Sequence, residues 1–243
     1  NDIYAQLVNA SGVAQRAANG VGVCMAANTQ SLPVIGSDGS GGAVIAWQDY
    51  RSGTSDIYAQ RLNGSGAALW TTDGVSLCAA GNNQAYPAIS PDGSGGAIVA
   101  WQDYRSGNTD IYAGRIDGSG TVMWTPDGVA ICAAADAQTS CQIAADGSGG
   151  AIVAWRDNRS GNTDVYAQRV NASGGVQWTA DGVVVCAAAN IQYYPGLISN
   201  GAGGAFITWQ DYRAITYPHI YAQAVNASGE AQWTADGVAV CAA

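Results

Sequence analysis

Lysine is absent, and glutamate, histidine and phenylalanine occur once each, at Glu230, His219 and Phe206. All nine cations are therefore arginine, set against 18 acids for a net charge of −9. With no basic cluster to neutralise phosphates, a nucleic-acid partner is excluded, as is attraction to an anionic membrane surface. No apolar run approaches the ~20 residues that span a bilayer, so membrane insertion is not expected. One histidine, no lysine and no G-x-S-x-G leave nucleophile–base chemistry almost nothing to work with. Zinc lacks both a C-x-x-C and a second histidine. Hydrophobic residues at 48% exclude disorder, since a chain this apolar can bury a core. The chain opens at Asn1 without an initiator methionine or a leader, which reads as a processed chain or a piece of a longer one.

What is present is a repeat. The string DIYAQ begins at Asp2 and Asp56, returns as DIYAG at Asp110 and DVYAQ at Asp164, and as HIYAQ at His219. A second string, GGAxxxxW, ends at Trp47, Trp101, Trp155 and Trp209, and a third, GVxxC, ends at Cys24, Cys78, Cys132, Cys186 and Cys241. The period is about 54 residues, giving four and a half units: a half unit 1–24 and units 25–78, 79–132, 133–186 and 187–241 of a single repeat domain. Within a unit, segments such as Ala97–Trp101 and Asp110–Ile116 are β-branched and aromatic, too short for helices, and parted by Asp-Gly and Ser-Gly turns. About four short strands per unit is the pattern of an all-β propeller blade, whose apolar faces only neighbouring blades can cover.

The stretch ISPDGSGGAIVAWQDYRSGNTDIYAGRIDGSG, Ile89 to Gly120, resembles the repeat of TolB-like β-propellers, in which a Pro-Asp-Gly turn leads into an apolar strand, an arginine–glycine hairpin and an Ile-Tyr strand. The fuller pattern GGAxxAWxDxRxGxxDIYAQR is similar to tandem repeats of large secreted bacterial proteins. That likeness implies an extracellular or cell-surface setting and no particular activity. The half unit then implies either a five-bladed ring with one reduced blade or a terminal half blade completed by a neighbouring chain, head to tail.

The pairs Asp49/Arg51, Asp103/Arg105, Asp157/Arg159 and Asp211/Arg213 recur in every unit. Paired carboxylates beside arginine suit glycoside hydrolysis or a cation, but repetition in every unit favours a structural tie of the hairpin loop. Single aspartates in the Asp-Gly turns at Asp38, Asp92 and Asp146 are explained by turn chemistry, and calcium is a weak alternative; no other cofactor is expected. Cys132 and Cys141 lie nine residues apart and are candidates for a disulfide; the cysteines at the common repeat position read as buried free thiols. Sequons begin at Asn9, Asn63, Asn158, Asn171 and Asn226, candidate glycosylation sites that turn chemistry alone also accounts for. His219 reads as a loop residue. Acids outside the repeat are Asp117, Asp136 and Glu230, and the first two replace asparagines of other units, which looks like drift.

These residues lead to an expectation of a non-enzymatic extracellular structural protein, a surface or filament subunit assembling through its incomplete blade. The alternative is a multivalent glycan-binding lectin or adhesin with one shallow site per blade, using the eight tryptophans and twelve tyrosines. A glycosidase is disfavoured because no off-repeat acids are seen to converge.

Overall fold

The computed structural model describes residues 1–214 and 217–241, and among these every regular element is a strand. β1 (Ile3–Ala5) and β2 (Val21–Cys24) form a two-stranded antiparallel sheet. Four four-stranded sheets follow. Blade one contains β3 (Gln30–Ser37), β4 (Ala43–Asp49), β5 (Asp56–Leu62) and β6 (Val75–Cys78). Blade two contains β7 (Gln84–Pro91), β8 (Ala97–Asp103), β9 (Asp110–Ile116) and β10 (Val129–Cys132). Blade three contains β11 (Gln138–Ala145), β12 (Ala151–Asp157), β13 (Asp164–Val170) and β14 (Val183–Cys186). Blade four contains β15 (Gln192–Ser199), β16 (Ala205–Asp211), β17 (His219–Val225) and β18 (Val238–Cys241). In each sheet the strands lie side by side in chain order, as hairpins joined by short loops dictate.

By compactness the chain divides into two units, residues 1–99 with 114–128 and residues 100–113 with 129–243, and the division runs through blade two. In the first unit, Ile3, Val23 and Cys24 pack against Ile45, Trp47 and Leu62 of blade one. In the second, Ile152, Ala154, Val165 and Ala167 of blade three meet Ala205, Ile207, Trp209 and Val225 of blade four. Strands covered on both faces need apolar residues at successive positions, which is why β8 and β12 read AIVAW rather than alternating.

Two backbone devices repeat. The first strand of each blade carries a bulge, with Leu32, Tyr86, Ser140 and Tyr194 at φ of 50, 53, 55 and 53°. A bulky residue in that region is uncommon and re-aims its side chain away from the sheet. The Asp-Gly turn before the last strand is the second device. Gly182 has φ +89°, and a Cβ there would lie 2.5 Å from the Trp155 ring and 2.8 Å from the Ala167 carbonyl oxygen, so only glycine lets the tryptophan seat.

Candidate functional site

The aspartates of the four Asp-x-Arg pairs are fully buried and fully engaged. Asp49 accepts from Trp47 Nε1 at 2.8 Å and from Arg51 Nε and Nη2 at 2.9 and 2.6 Å. Arg51 also donates to the Asp73 carbonyl at 2.7 Å and lies over the Tyr58 ring at 3.9 Å. Asp157/Arg159 and Asp211/Arg213 repeat the arrangement with Trp155 and Trp209, each Arg Nη2–Asp contact falling at 2.6–2.7 Å. In blade two, Arg105 Nη2 stands 2.6 Å from Asp103. Burial pulls the Asp49 and Asp211 carboxyls up, but the hydrogen bonds from arginine and tryptophan outweigh it and hold both below the ordinary carboxylate range.

The Asp-Gly turns are equally occupied. Asp38 takes the Ser40 and Gly42 amides at 2.8 and 2.7 Å through one oxygen and Arg61 at 2.9 Å through the other. Asp92 pairs with Arg115 and Asp146 with Arg169 in the same way. No group of three His, Cys, Asp or Glu side chains among the described residues is placed to hold a metal.

The structure does not join Cys132 to Cys141: both thiols are buried and free. Cys132 Sγ is turned toward Arg159 Nη2, 3.0 Å away, while Cys141 replaces the proline of the first-strand bulge and is enclosed within blade three. Burial pushes both thiols up to about 12, away from the thiolate that bridging requires.

Asn9, Asn63, Asn171 and Asn226 each turn Oδ1 inward to cap backbone amides two and four residues on. Asp117 does the same through Ser119 and Thr121, which explains its replacement of asparagine. Asn158 differs, accepting instead from Thr163 Oγ1 at 2.9 Å. His219 opens β17 opposite Asp211 and is partly buried.

Two residues that break the repeat, Asp136 and Asn158, line one hollow, whose counterpart of about 570 Å³ in blade one is lined by Asn28, Thr29, Ser31, Tyr50 and Gly53. The hollow with Asp136 and Asn158 is open, about 590 Å³ in volume, and is also lined by Asn108, Ala137, Asn162 and Thr163, with Ile191 at its edge. Here Asp136 stands where other units have asparagine, and Asn158 where they have tyrosine. Ile191 accepts from the Tyr212 amide at 2.9 Å. Two residues further on, Tyr193 lies under the Arg156 guanidinium at 4.1 Å and packs with Tyr194 and Tyr212 at 5.8 Å. Arg156 replaces the glutamine of other units, and Tyr193 replaces serine, alanine or threonine. Tyr194, held out by its bulge, is 67% exposed. Sequence reasoning dismissed Asp136 as drift and overlooked Arg156 and Tyr193. The signal was there, as substitutions at strand ends that face one set of loops, but it becomes visible only once the loops are placed.

Behind Asn108 and Asn162 stand Asp110 and Asp164, each bonded to a serine hydroxyl at 2.7 Å. Burial, assisted by neighbouring aspartates, raises both carboxyls. A raised carboxyl favours the fold when protonated: its contribution is complete below the unfolded value near ~3.9 and is lost as pH rises through the folded one. Asp164→Asn is therefore expected to raise the melting temperature at neutral pH, with the gain closing as pH falls toward about 4. A gain independent of pH would remove the role assigned to burial.

No protein family and no curated protein matches the sequence. Solved structures do. A protein from Agrobacterium tumefaciens assigned as TolB aligns at TM-score 0.50 and 16% identity, over 95% of this chain and 80% of that one. A protein from Parabacteroides distasonis assigned as a glycoside hydrolase aligns at TM-score 0.51 and 10% identity, over 89% and 75%. An endo-arabinase from Bacteroides thetaiotaomicron follows at 0.48 and 15%, over 86% and 80%. The fold is thus all-β and of β-propeller type, with four and a half repeats. The expectation of a non-enzymatic structural subunit is corrected by these neighbours, since the fold also appears under a glycoside hydrolase assignment. The argument against an enzyme rested on missing nucleophile–base pairs and, for a glycosidase, on the lack of converging acids outside the repeat. Glycoside hydrolysis needs only two carboxyl groups, and aspartate is the one ionisable residue this chain has in plenty.

Proposed function

We propose that the protein is a carbohydrate-active domain that takes a glycan in the hollow bounded by Asp136, Asn158, Asn162 and Thr163. The observation that carries this reading is that Asp136 and Asn158, which both break the repeat, meet in one hollow, where the equivalent hollow of blade one keeps Asn28 and Tyr50. A structural repeat has no reason to vary there in concert, whereas a site is built once from residues of different blades. The chemistry fits sugar: the Asn108, Asn158 and Asn162 amides and the Asp136 carboxylate match vicinal hydroxyls. Asp136 is the exposed carboxylate of the site. Asp110 and Asp164 follow Asn108 and Asn162 by two residues, but both are buried and stand outside the lining of the hollow. An extracellular setting suits polymeric substrates of this kind.

The test is a panel of plant and microbial polysaccharides, read for binding by affinity electrophoresis and titration calorimetry, and for cleavage by release of reducing ends. The triple variant Asp136→Asn/Arg156→Gln/Asn158→Tyr restores what other blades carry and so preserves the fold. It is expected to weaken binding at least about tenfold, the equivalent of some 1.4 kcal/mol. Stoichiometry is expected near one glycan per chain, rather than one per blade. Unchanged binding by the triple variant, or no response to any polysaccharide, would overturn the reading.

A further inference from the structure

In blades one and two, a glutamine near the end of the second strand is tied to the tyrosine that follows it by two residues. Gln48 Nε2 donates to the Tyr50 hydroxyl at 2.6 Å, and the Tyr104 hydroxyl donates to Gln102 Oε1 at 3.4 Å. Blade three changes both members of this pair: Arg156 stands for the glutamine and Asn158 for the tyrosine. The Asn158 side chain is bonded to Thr163 instead, so the tie is gone and a guanidinium is left in its place.

That guanidinium has no acid. Seven other arginines each hold an aspartate, and Arg16 donates to two backbone carbonyls. Arg156 has neither kind of acceptor among the described residues, and its Nε is buried without one. With 18 acids in the chain, a cation kept apart from all of them calls for a reason, since an unmet donor of a partly buried charge is costly. What holds Arg156 is the Tyr193 ring at 4.1 Å, itself packed edge-on against Tyr212 at 5.8 Å. Stacking fixes the plane of the guanidinium and leaves its terminal nitrogens to an acceptor lying in that plane.

Both partners stand one row along from the hollow. Arg156 precedes Asn158 by two residues, and Tyr193 follows Ile191 by two; Asn158 lines the hollow and Ile191 edges it. Ladder bonds from the Asn158 amide to Ala137 and from the Tyr212 amide to Ile191 carry the strand geometry out to these positions. Residues two apart in a strand share a face about 6–7 Å from each other, within the span of one sugar ring and its substituents.

We infer that the glycan taken in the hollow is acidic, a uronate whose carboxylate meets Arg156 while its hydroxyls meet Asp136, Asn158 and Asn162. The inference rests on the glycan reading above and narrows it to one substrate class. A carboxylate is the planar acceptor that two guanidinium N–H groups match, whereas a neutral sugar leaves the charge unanswered. The exposed Asp136 carboxylate accepts only, so it takes hydroxyl donors, which a uronate also supplies. The net charge of −9 opposes unspecific adhesion of a polyanion, so binding reports a particular contact.

Titration calorimetry with polygalacturonate and alginate tests this, each polymer set beside its own carboxyl-reduced form. The unmodified protein is expected to bind at least one of the two acidic polymers at least about tenfold more tightly than the reduced form. Arg156→Gln, the residue of the other blades, is expected to lose that preference, and Arg156→Lys, a point charge without the fork, to keep part of it. The comparison of each polymer with its reduced form uses the unmodified protein and so does not depend on how the variants fold. Equal affinity for acidic and reduced forms, binding of neutral polysaccharides alone, or an undiminished preference in Arg156→Gln overturns the inference and leaves the glycan reading standing. No response to any polysaccharide overturns both.

Discussion

Trp155→Ala is expected to lower the stability of the protein by about 3–5 kcal/mol, a large share of the ~5–15 kcal/mol of an ordinary domain. The side chain is wholly buried between sheets, and its ring stacks on Tyr166 at 6.4 Å. Removing it leaves a cavity that strands cannot close without breaking their ladders. It also takes from the Asp157 carboxylate the indole donor at 2.8 Å, and buried acceptors are costly to leave unmet. Trp155→Phe separates the two effects: most of the volume remains, and the cost expected is about 1–2 kcal/mol. Denaturant midpoints followed by circular dichroism measure both, at constant slope if the transition stays cooperative. A loss below about 1.5 kcal/mol for Trp155→Ala would mean the sheets repack around the gap.

Arg51→Ala is expected to cost about 3–5 kcal/mol, because it strands a buried carboxylate. Asp49 has no contact with solvent, and without Arg51 it keeps the Trp47 indole, one backbone amide and the Cys24 thiol at 3.8 Å. The guanidinium also ties the Asp73 turn and covers the Tyr58 ring, which lysine reaches with one point charge at best, so Arg51→Lys recovers only part of the loss. The pH dependence carries a sign. Asp49 is held below its ordinary value, so the pair contributes above the unfolded pKa near ~3.9, and that contribution disappears as pH falls through the folded value. The gap between variant and unmodified protein is therefore widest near neutrality and narrows as pH falls below the unfolded value near ~3.9. A gap that stays constant over that range would show the arginine to act through packing alone.

The repeat made the sheets readable before any coordinates. Segments such as AIVAWQD and DIYAQR have one conformation open to them, and the Asp-Gly and Asn-x-Ser-Gly turns between them state where each strand stops. The division into two compact units was not readable, because it passes through blade two, where no composition shift marks it. The candidate site was half readable. Asp136 and Asn158 were visible as departures from the repeat, but they lie 22 residues apart, and one sits before a first strand while the other follows a second. What joins them is the register that sets the Ala137 carbonyl against the Asn158 amide at 3.1 Å, a long-range fact that local pattern does not contain. Arg156 and Tyr193 were harder still, since their contact crosses from one blade to the next. The proposed disulfide failed for a related reason: spacing along the chain said nothing of the direction in which the Cys132 and Cys141 thiols point.

The near identity of β4, β8 and β12, and of β5, β9 and β13, raises a question of folding fidelity. By side chain alone, β5 would pair with β8 or β12 almost as well as with β4, so the native sheet is scarcely preferred on contact energy. Discrimination falls to the six-residue loops between second and third strands, which bring the correct partner back before a distant one can diffuse in. Those loops work as address labels for the strands they join. The same short segments that frame the hollow also decide which strand finds which, so changes made there are limited by the need to keep each hairpin local.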